Sequence, residues 1–526
     1  IRKTGYVMIK KGRKPGGGGN CTMRYGFLFG AGAEVGYGLP SGGKFALDIF
    51  RQDTTESKKE FKSMRDSVDS TTTYASNWLP RDYIGRSISS FGKSVFQNII
   101  KDTVEHKRSH IVQKLNAFDE TARKAADKLQ KEGIDSKEVM ERLLKRRLDN
   151  LHMNQSVAFI SEFAEGNQLF YNSYFAAFLL IYKDKDIMAI QDRPEFRKII
   201  LSILQLQIGA LSEELTRKIN DGIFQKKDDD IDVFDDLGEI IQLNYSASGI
   251  IGMEYLMEMR EPDKKTDSGK ILYLAQTIME DIYASVLDYK SLIDSNWHYL
   301  YSPSSDWAKF CKISIFLLTV RSYILSSAAQ ADLTKSDGYY NLLKKAMDDG
   351  KFEVSAIATT NYNTFIQKIV GQQVAYLNGS TEMWYDPYLN RIGEKSSLNA
   401  AESHLLVPLM FTQSGTKPMT SIDMSVQYVD TFRMWQQSDA VVVAGFGFGT
   451  DDEHINGILR TLIDVDGKRL IVVRLFDGKT EEEEAGLIGD KLKVSRTENI
   501  KVILVDASGT QIGTRIKWTE SLLNIK

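Results

Sequence analysis

Apolar residues follow two different periodicities along the chain, and the change between them separates three blocks. In the first block, Tyr25 to Phe29 is an aromatic and aliphatic run, and a glycine-rich segment, 30–43, follows it directly. A short buried run followed by glycines predicts a strand, a turn and then the start of a helix.

From about residue 45 to about residue 350, apolar residues recur at three- and four-residue spacing, which predicts helices almost throughout. Asp135 is typical of a helix N-cap, and the apolar positions from Val139 to Leu148 share one helical face. Further helices are predicted at 155–182, 196–220, 270–293 and 307–328. Two polar interruptions, 226–236 and 260–269, are interpreted as solvated loops, with a partner contact as the alternative.

After about residue 352, short apolar runs separated by glycine turns are typical of strands buried in parallel sheets. These runs are 354–358, 374–377, 405–411, 440–444, 470–475 and 502–505, with helices predicted between some of them at 424–437 and 453–464. The fold class is therefore α/β, a doubly wound parallel sheet of Rossmann type that includes strand 24–29, with a large all-α insertion or second domain.

The predicted domains follow from this division. Residues 23–50 and 351–526 form the nucleotide-binding domain, and 51–350 form the helical insertion. Residues 1–22 carry six Lys or Arg and no acidic residue, and are interpreted as a disordered basic tail, with a functional basic arm as the alternative.

Composition excludes several classes of protein. A formal net charge of -3 provides no overall positive field to attract nucleic acid or an anionic membrane. Cys21 and Cys311 are the two cysteines of the sequence, which excludes a disulfide scaffold and a four-cysteine zinc module. The longest apolar runs, 174–182 and 313–320, are under half of the roughly 20 residues that span a bilayer. We therefore expect a soluble, cytoplasmic protein without a metal.

Three polar or glycine-rich segments come directly after predicted strands: 30–34, 359–363 and 445–456. Ligands of open α/β sheets bind where the strands end, and glycines allow a backbone to approach a pyrophosphate. Val35 occupies the last position of the usual dinucleotide fingerprint, so the first segment alone is a weak signal. Each segment alone is also explained by a structural turn, but together they predict one nucleotide site.

The order of these motifs resembles the NAD-binding domain of sirtuins, and most of all the bacterial sirtuin-like NAD-consuming effectors of anti-phage defence. The motifs are Gly30-Ala31-Gly32-Ala33-Glu34 with Gly38-Leu39-Pro40, Thr359-Thr360-Asn361-Tyr362-Asn363, Leu377-Asn378-Gly379-Ser380, and Gly445-Phe446-Gly447-Phe448. The resemblance covers about 23–50 and 350–510, and the overall pattern is similar to sirtuin-like subunits of Kongming-type defence systems.

The resemblance implies NAD+ as substrate and a role for each matching position. Asn361 would contact the nicotinamide ribose and position the attacking group, and Asn363 would lie beside the carboxamide. Gly445 and Gly447 would hold the adenosine half. The diphosphate would be lined by Gly30, Ala31, Gly32 and Glu34, with the charge of Glu34 turned away. The remaining implied cofactor-binding positions are Pro40, Thr360, Phe446, Phe448 and Asn456.

The sequence departs from the family at its catalytic histidine. Asn378 stands there, and a neutral amide cannot accept a proton. Nicotinamide is a good leaving group, so positioning and electrostatics are sufficient for cleaving the glycosidic bond, or another residue is the base. His454 is the candidate for that base, and with Asn456 it could contact the ribose or adenine, whereas His404 is interpreted as structural. The catalytic candidates are thus Asn361, Asn378 and His454.

Deacylation is disfavoured, because Ser41-Gly42-Gly43 replaces the family's Asp-Phe-Arg and the zinc-binding cysteine pairs are missing. The resemblance implies an NAD+ hydrolase that releases nicotinamide and ADP-ribose, a latent effector of abortive infection activated by a co-encoded sensor or a nucleotide signal. The helical block would support oligomerisation and partner binding. The alternatives are a nucleotide-binding subunit without turnover and an ADP-ribosyl transferase. Asn361→Ala is expected to abolish turnover and to leave folding intact.

Overall fold

The computed structural model describes residues 22–39, 42–151, 168–211, 248–286, 297–410 and 421–525. Within these residues the strands are β1 (Arg24–Phe29), β2 (Glu353–Thr359), β3 (Val374–Tyr376), β4 (Gly379–Asp386), β5 (Arg391–Gly393), β6 (Val407–Met410), β7 (Ala440–Ala444), β8 (Arg469–Leu475) and β9 (Ile500–Val505).

A six-stranded sheet in the order β3-β2-β1-β7-β8-β9 forms the centre of the fold, and all of its neighbouring strands are parallel. Counted within this sheet alone, the order is 3-2-1-4-5-6, that of a Rossmann-like α/β fold. The chain therefore changes direction across the sheet between β1 and β7. The prediction that strand 24–29 joins the later strands is confirmed.

The side chains of the central strands alternate between two buried faces. On β1, Phe27 and Phe29 belong to one core with Tyr340 and Trp518, whereas Leu28 belongs to the other core, which continues into the helical region. Successive residues of a strand point to opposite faces, so an uninterrupted apolar strand is buried only if helices cover both sides. This explains why the parallel strands read as continuous apolar runs.

Between β1 and β2 the described chain is helical, as predicted. The helices are Gly42–Phe50, Thr55–Asp66, Thr73–Trp78, Lys93–His106, Arg108–Asn116, Phe118–Lys131, Ser136–Leu144, Ser173–Lys183, Arg193–Leu211, Ile250–Glu258, Asp267–Val286, Trp307–Ala329 and Tyr339–Asp348. After β2 they are Phe365–Val370, Lys395–Leu398, Ile422–Gln436, Glu453–Asp464, Glu481–Leu492 and Trp518–Ser521. The α/β class with a large helical region after the first strand is confirmed.

Individual helices show which of the predicted helix ends the structure confirms. The Asp135 carboxylate accepts a hydrogen bond from the Glu138 backbone N–H at 3.0 Å, which confirms the predicted N-cap. The helix ends at Leu144 rather than Leu148, because Lys145 adopts a left-handed conformation with φ 53°. The predicted helices 155–182, 196–220 and 270–293 extend beyond the described residues, and the polar interruption 226–236 lies wholly outside them.

One predicted parallel strand lies elsewhere. β6, within the run 405–411, pairs antiparallel with β4 in a separate three-stranded sheet of order β5-β4-β6. The sequence analysis missed β4 and β5, since β4 contains Ser, Thr and Glu in place of an aliphatic run. Helix Trp307–Ala329 packs against β4, since its Arg321 donates to the Thr381 carbonyl at 2.7 Å and lies over the Trp384 ring.

Two helices at the ends of the helical region do not pack with the domain to which the sequence analysis assigned them. Helix Gly42–Phe50 joins the helical region, where Arg51 after it forms an ion pair with Glu280 at 2.8 Å. Helix Tyr339–Asp348 packs on the parallel sheet, with Tyr340 in edge contact with Phe29 at 5.2 Å between ring centroids.

Helix Trp307–Ala329 is longer than the apolar run within it. With 23 residues and a mean hydropathy of 1.3 in its most apolar window, it is the one helix of the described chain that is long and apolar enough to cross a membrane. Because 61% of that window is buried inside the protein, the helix has the environment of a core helix.

Candidate functional site

The loops that follow β1 and β7 cross in direct backbone contact. The Gly30 N–H donates to the Ala444 carbonyl at 3.0 Å, and the Gly32 N–H donates to the Gly445 carbonyl at 2.9 Å. A Cβ atom on Gly30 would lie 2.7 Å from the Gly445 oxygen, so these glycines are needed for the crossing. The sequence predicts that these glycines bring the backbone to a diphosphate and that a helix starts directly after them. Instead, two short 3₁₀ turns follow, and the helix begins only at Gly42.

A cavity of about 330 Å³ lies beside this crossing, at the carboxyl ends of β1, β2 and β7, where Rossmann-like sheets bind their ligands. Of the predicted site residues, the cavity is lined by Ala31, Glu34, Thr360, Asn361, Asn363, Asn378, Gly445, Phe446 and Gly447. The three separate sequence segments thus meet in one place.

Asn361 is held by its own side-chain hydrogen bonds. Its Nδ2 donates to the Gly30 carbonyl and to the Tyr340 hydroxyl, both at 3.0 Å, and its backbone N–H donates to Thr359 Oγ1 at 3.0 Å. Because both amide hydrogens have acceptors, the group that Asn361 can offer a ligand is its carbonyl oxygen. Such an oxygen can accept a hydrogen bond from a sugar hydroxyl or from water.

Glu34 lies among these amides and is buried, with 2% of its surface exposed. The Tyr340 hydroxyl donates to Glu34 Oε1 at 2.7 Å, and Asn363 Nδ2 donates to Oε2. Burial raises the pKa of Glu34 to about 7, although hydrogen bonds from Tyr340, Asn363 and Asn361 lower it in part. Near neutral pH the carboxyl is therefore divided between its two protonation states. The resemblance implied a position at the diphosphate, whereas here Glu34 contacts the residues assigned to the ribose and carboxamide.

The raised pKa of Glu34 predicts how the stability of the protein depends on pH. In the unfolded chain the carboxyl has its usual pKa of 4.5, so between that value and about 7 the folded state binds more protons. The stabilising contribution of protonated Glu34 is present below pH 4.5 and is lost as the pH rises through about 7. We expect Glu34→Gln to gain stability relative to the wild type over this interval, on the order of 3 kcal/mol. Urea unfolding of both proteins at acidic and at alkaline pH measures this, and a constant difference would contradict it.

Asn378, at the position of the family histidine, is 5% exposed and lines the cavity. Its Nδ2 lies 3.5 Å from the Thr360 carbonyl, and its Oδ1 has no hydrogen-bond partner within the described part of the chain. A buried acceptor without a donor is unfavourable unless a ligand or water supplies one. Asn378 is therefore suited to accept a hydrogen bond from a ligand hydroxyl.

Five of the predicted site residues do not line the cavity: Gly30, Gly32, Phe448, His454 and Asn456. Asn456 Nδ2 donates to the Gly449 carbonyl at 2.9 Å and so supports the loop after β7. His454 packs edge-on against Tyr428, and Phe448 packs against Phe446. Pro40 lies outside the described residues.

His404 has a structural environment away from the cavity. Its Nδ1 lies 2.7 Å from Asp386 Oδ2, and its ring stacks on Tyr74 with centroids 4.0 Å apart. All three side chains are buried. His404 therefore connects Asp386 of the small sheet to Tyr74 of helix Thr73–Trp78.

The helical region forms the opposite wall of the cavity, which the sequence analysis missed. Tyr323 and Ser327 of helix Trp307–Ala329 line the cavity, together with Phe45 of helix Gly42–Phe50. The Tyr323 hydroxyl donates to Asp48 Oδ2 at 2.8 Å and so connects these two helices. In sequence these side chains look like ordinary positions of a packed helix, so no local signal could have identified them.

The charged residues that line the cavity, within the described chain, are all acidic: Glu34, Asp451 and Asp452. Such a lining disfavours a nucleoside triphosphate relative to a ligand that carries a positive charge. The described residues also contain no cluster of three or more His, Cys, Asp or Glu side chains that could hold a metal ion.

Comparisons of the chain with protein-family models, with curated proteins and with solved structures find no match. The resemblance to sirtuins therefore rests on the motifs and stays a prediction.

Proposed function

We propose that this cavity binds NAD+ and hydrolyses the bond between nicotinamide and ribose, releasing nicotinamide and ADP-ribose. The observation that supports this most is the meeting of Asn361, Asn363 and Asn378 with the Glu34 carboxylate in one cavity at the strand ends. These residues provide hydrogen-bond acceptors for ribose hydroxyls and a negative charge for a cationic ring.

The charge of the cavity favours NAD+ over a nucleoside triphosphate. The nicotinamide ring of NAD+ is cationic, and the cavity has an acidic lining with no Lys or Arg among its described residues. A diphosphate would then depend on backbone N–H groups, such as those of the glycine-rich loop 445–449.

Hydrolysis requires little from the protein beyond positioning and electrostatics. Nicotinamide leaves as a neutral molecule, and the transition state resembles an oxocarbenium ion. Asn361 has a fixed orientation and a free acceptor, so it can position a ribose hydroxyl or the attacking water.

The biological role that we propose follows the resemblance: a latent effector of anti-phage defence that depletes NAD+ when a co-encoded sensor or a nucleotide signal activates it. The helical region forms one wall of the cavity through Tyr323 and Ser327, so a partner or a second copy bound to that region could change the cavity. This arrangement supports control of the site from outside the sheet.

Measuring nicotinamide release from NAD+ by chromatography tests the proposal, with the purified chain alone and with the proteins encoded beside it. We expect release in at least one mixture, together with equal amounts of ADP-ribose. If no mixture releases nicotinamide while calorimetry shows that ADP-ribose binds, the hydrolase proposal fails.

The second candidate is a subunit that binds NAD+ or ADP-ribose and signals to a partner without turnover. Asn378 favours it, since the buried Oδ1 can hold a ribose hydroxyl but cannot accept its proton. Nucleotide that copurifies with the protein and remains intact in every mixture would support this candidate.

A further inference from the structure

Glu34 is a buried carboxylate that has no cationic partner among the described residues. The groups that lower its pKa are the side chains of Tyr340, Asn363 and Asn361, and no Lys, Arg or His of the described chain is among them. Burying a carboxylate without a cation is unfavourable, because neutral donors replace only part of its hydration. A cationic group on a bound ligand would supply the positive charge that the described residues do not place beside Glu34.

Glu34 lies among the residues that the proposed reaction assigns to the ribose and the carboxamide. Glu34 lines the cavity and is hydrogen-bonded to Asn363, while Tyr340 connects it to Asn361. The other two acidic residues of the lining, Asp451 and Asp452, are half-buried in the loop after β7. A carboxylate offers about four acceptor positions, so the hydrogen bonds from Tyr340, Asn363 and Asn361 still leave acceptor capacity on Glu34.

We propose that Glu34 is a catalytic carboxylate of this cavity, which stabilises the positive charge on the ribosyl group and accepts the proton of the attacking water. This inference rests on the proposed NAD+ hydrolysis and replaces the diphosphate-lining position that the resemblance implied. It also provides a base for a site in which Asn378 stands at the histidine position.

The step is balanced without any further reactant. The bond between the anomeric carbon and the nicotinamide nitrogen breaks, and its electron pair stays on the nitrogen, which becomes neutral. A water oxygen forms the new bond to the anomeric carbon, and one water proton moves to the Glu34 carboxylate and then to solvent. NAD+ and water thus give nicotinamide, ADP-ribose and a proton.

The other titratable groups that face Glu34 are phenols and carboxylates. Tyr340 of helix Tyr339–Asp348, Tyr37 and Tyr376 of β3 surround it, and burial raises the pKa of all three hydroxyls. Those tyrosines stay neutral in the range where Glu34 titrates, and so does Tyr323 across the cavity, whose pKa burial also raises. Asp451 and Asp452 line the same cavity and add negative charge.

The test compares nicotinamide release by the wild type, Glu34→Gln and Glu484→Gln in the mixture in which the wild type is active. Glu484 is the matched control: it is equally buried at 2% exposed, is paired with Arg474 and Lys479, and does not line the cavity. We expect Glu34→Gln to lower kcat about 100-fold or more and Glu484→Gln to leave kcat unchanged. Calorimetry with ADP-ribose checks that each variant keeps its folded cavity.

The outcomes separate the two proposals. Release by Glu34→Gln within about threefold of the wild type overturns the role of Glu34 and leaves NAD+ hydrolysis standing. A wild type that binds ADP-ribose and never releases nicotinamide overturns both. If Glu34→Gln does not bind ADP-ribose, the wild-type pH profile decides: we expect kcat to rise with pH through neutrality, and a flat profile contradicts the proposal.

Discussion

Asn361→Ala is expected to reduce nicotinamide release to background, a loss of about 1000-fold or more. Asn361 acts in the proposed reaction through its carbonyl oxygen, whose direction is set by hydrogen bonds from Nδ2 to the Gly30 carbonyl and the Tyr340 hydroxyl. Alanine removes this acceptor and also the donor that keeps Tyr340 beside Glu34. Both effects act on the same bond-breaking step.

The structure adds a stability cost that the sequence analysis did not expect. Asn361 is 6% exposed, so alanine removes the buried hydrogen bond that the Tyr340 hydroxyl accepts. It also removes one of the two that the Gly30 carbonyl accepts, the other being donated by the Ala33 N–H at 3.0 Å. The loss is expected to be about 1–3 kcal/mol. Folding would be weakened rather than unaffected.

Asn172→Ala is the control that separates lost chemistry from lost stability. Asn172 is similarly buried, and its Nδ2 donates to the Asn116 and Gln168 carbonyls in the helical region, away from the cavity. We expect a comparable drop in the urea unfolding midpoint with normal nicotinamide release per folded molecule. Asn361→Ala that keeps more than about a tenth of wild-type release would contradict the assignment.

Gly445→Ala is expected to have the largest effect on the folded state. Gly445 has φ +68°, and an added Cβ would lie 2.0 Å from the Ala33 backbone nitrogen. Neither group can move away, because both belong to the backbone of the crossing loops. We expect a loss of at least about 4 kcal/mol in the free energy of unfolding, together with loss of ADP-ribose binding.

The matched control for this substitution is Gly486→Ala. Gly486 lies in helix Glu481–Leu492, and apart from the adjoining helix backbone no atom of the described chain would lie within 4 Å of an added Cβ. Because alanine favours a helix interior over glycine, we expect this variant to gain about 0.5–1 kcal/mol. Urea unfolding of the two variants measures the difference. Equal midpoints would show that the loops separate without cost and that the crossing is not rigid.

The motif segments show how much of the site could be predicted from sequence. Asn361 and Gly445 were assigned to one site because polar and glycine-rich segments follow apolar strands, and parallel strands end at the same edge of a sheet. Both residues line the cavity. The same reasoning could not distinguish Gly30, which meets another loop, from Gly447, which faces the cavity.

The sequence by itself determined the class of the fold, because hydrophobic periodicity is a local property of the chain. It was sufficient to identify β1, the helical region after it and the later parallel strands β2, β3, β7, β8 and β9. Tertiary structure alone decided that β6 belongs to a separate sheet, that Tyr323 closes the cavity, and that Glu34 lies beside Asn361 and Asn363 rather than at a diphosphate. Those facts depend on contacts between residues that are not neighbours in sequence, from Tyr385 and Val407 in the small sheet to Glu34 and Asn363, which are 329 positions apart. The burial that raises the pKa of Glu34 is produced by such contacts, so it cannot be inferred from the residues that neighbour Glu34 in sequence.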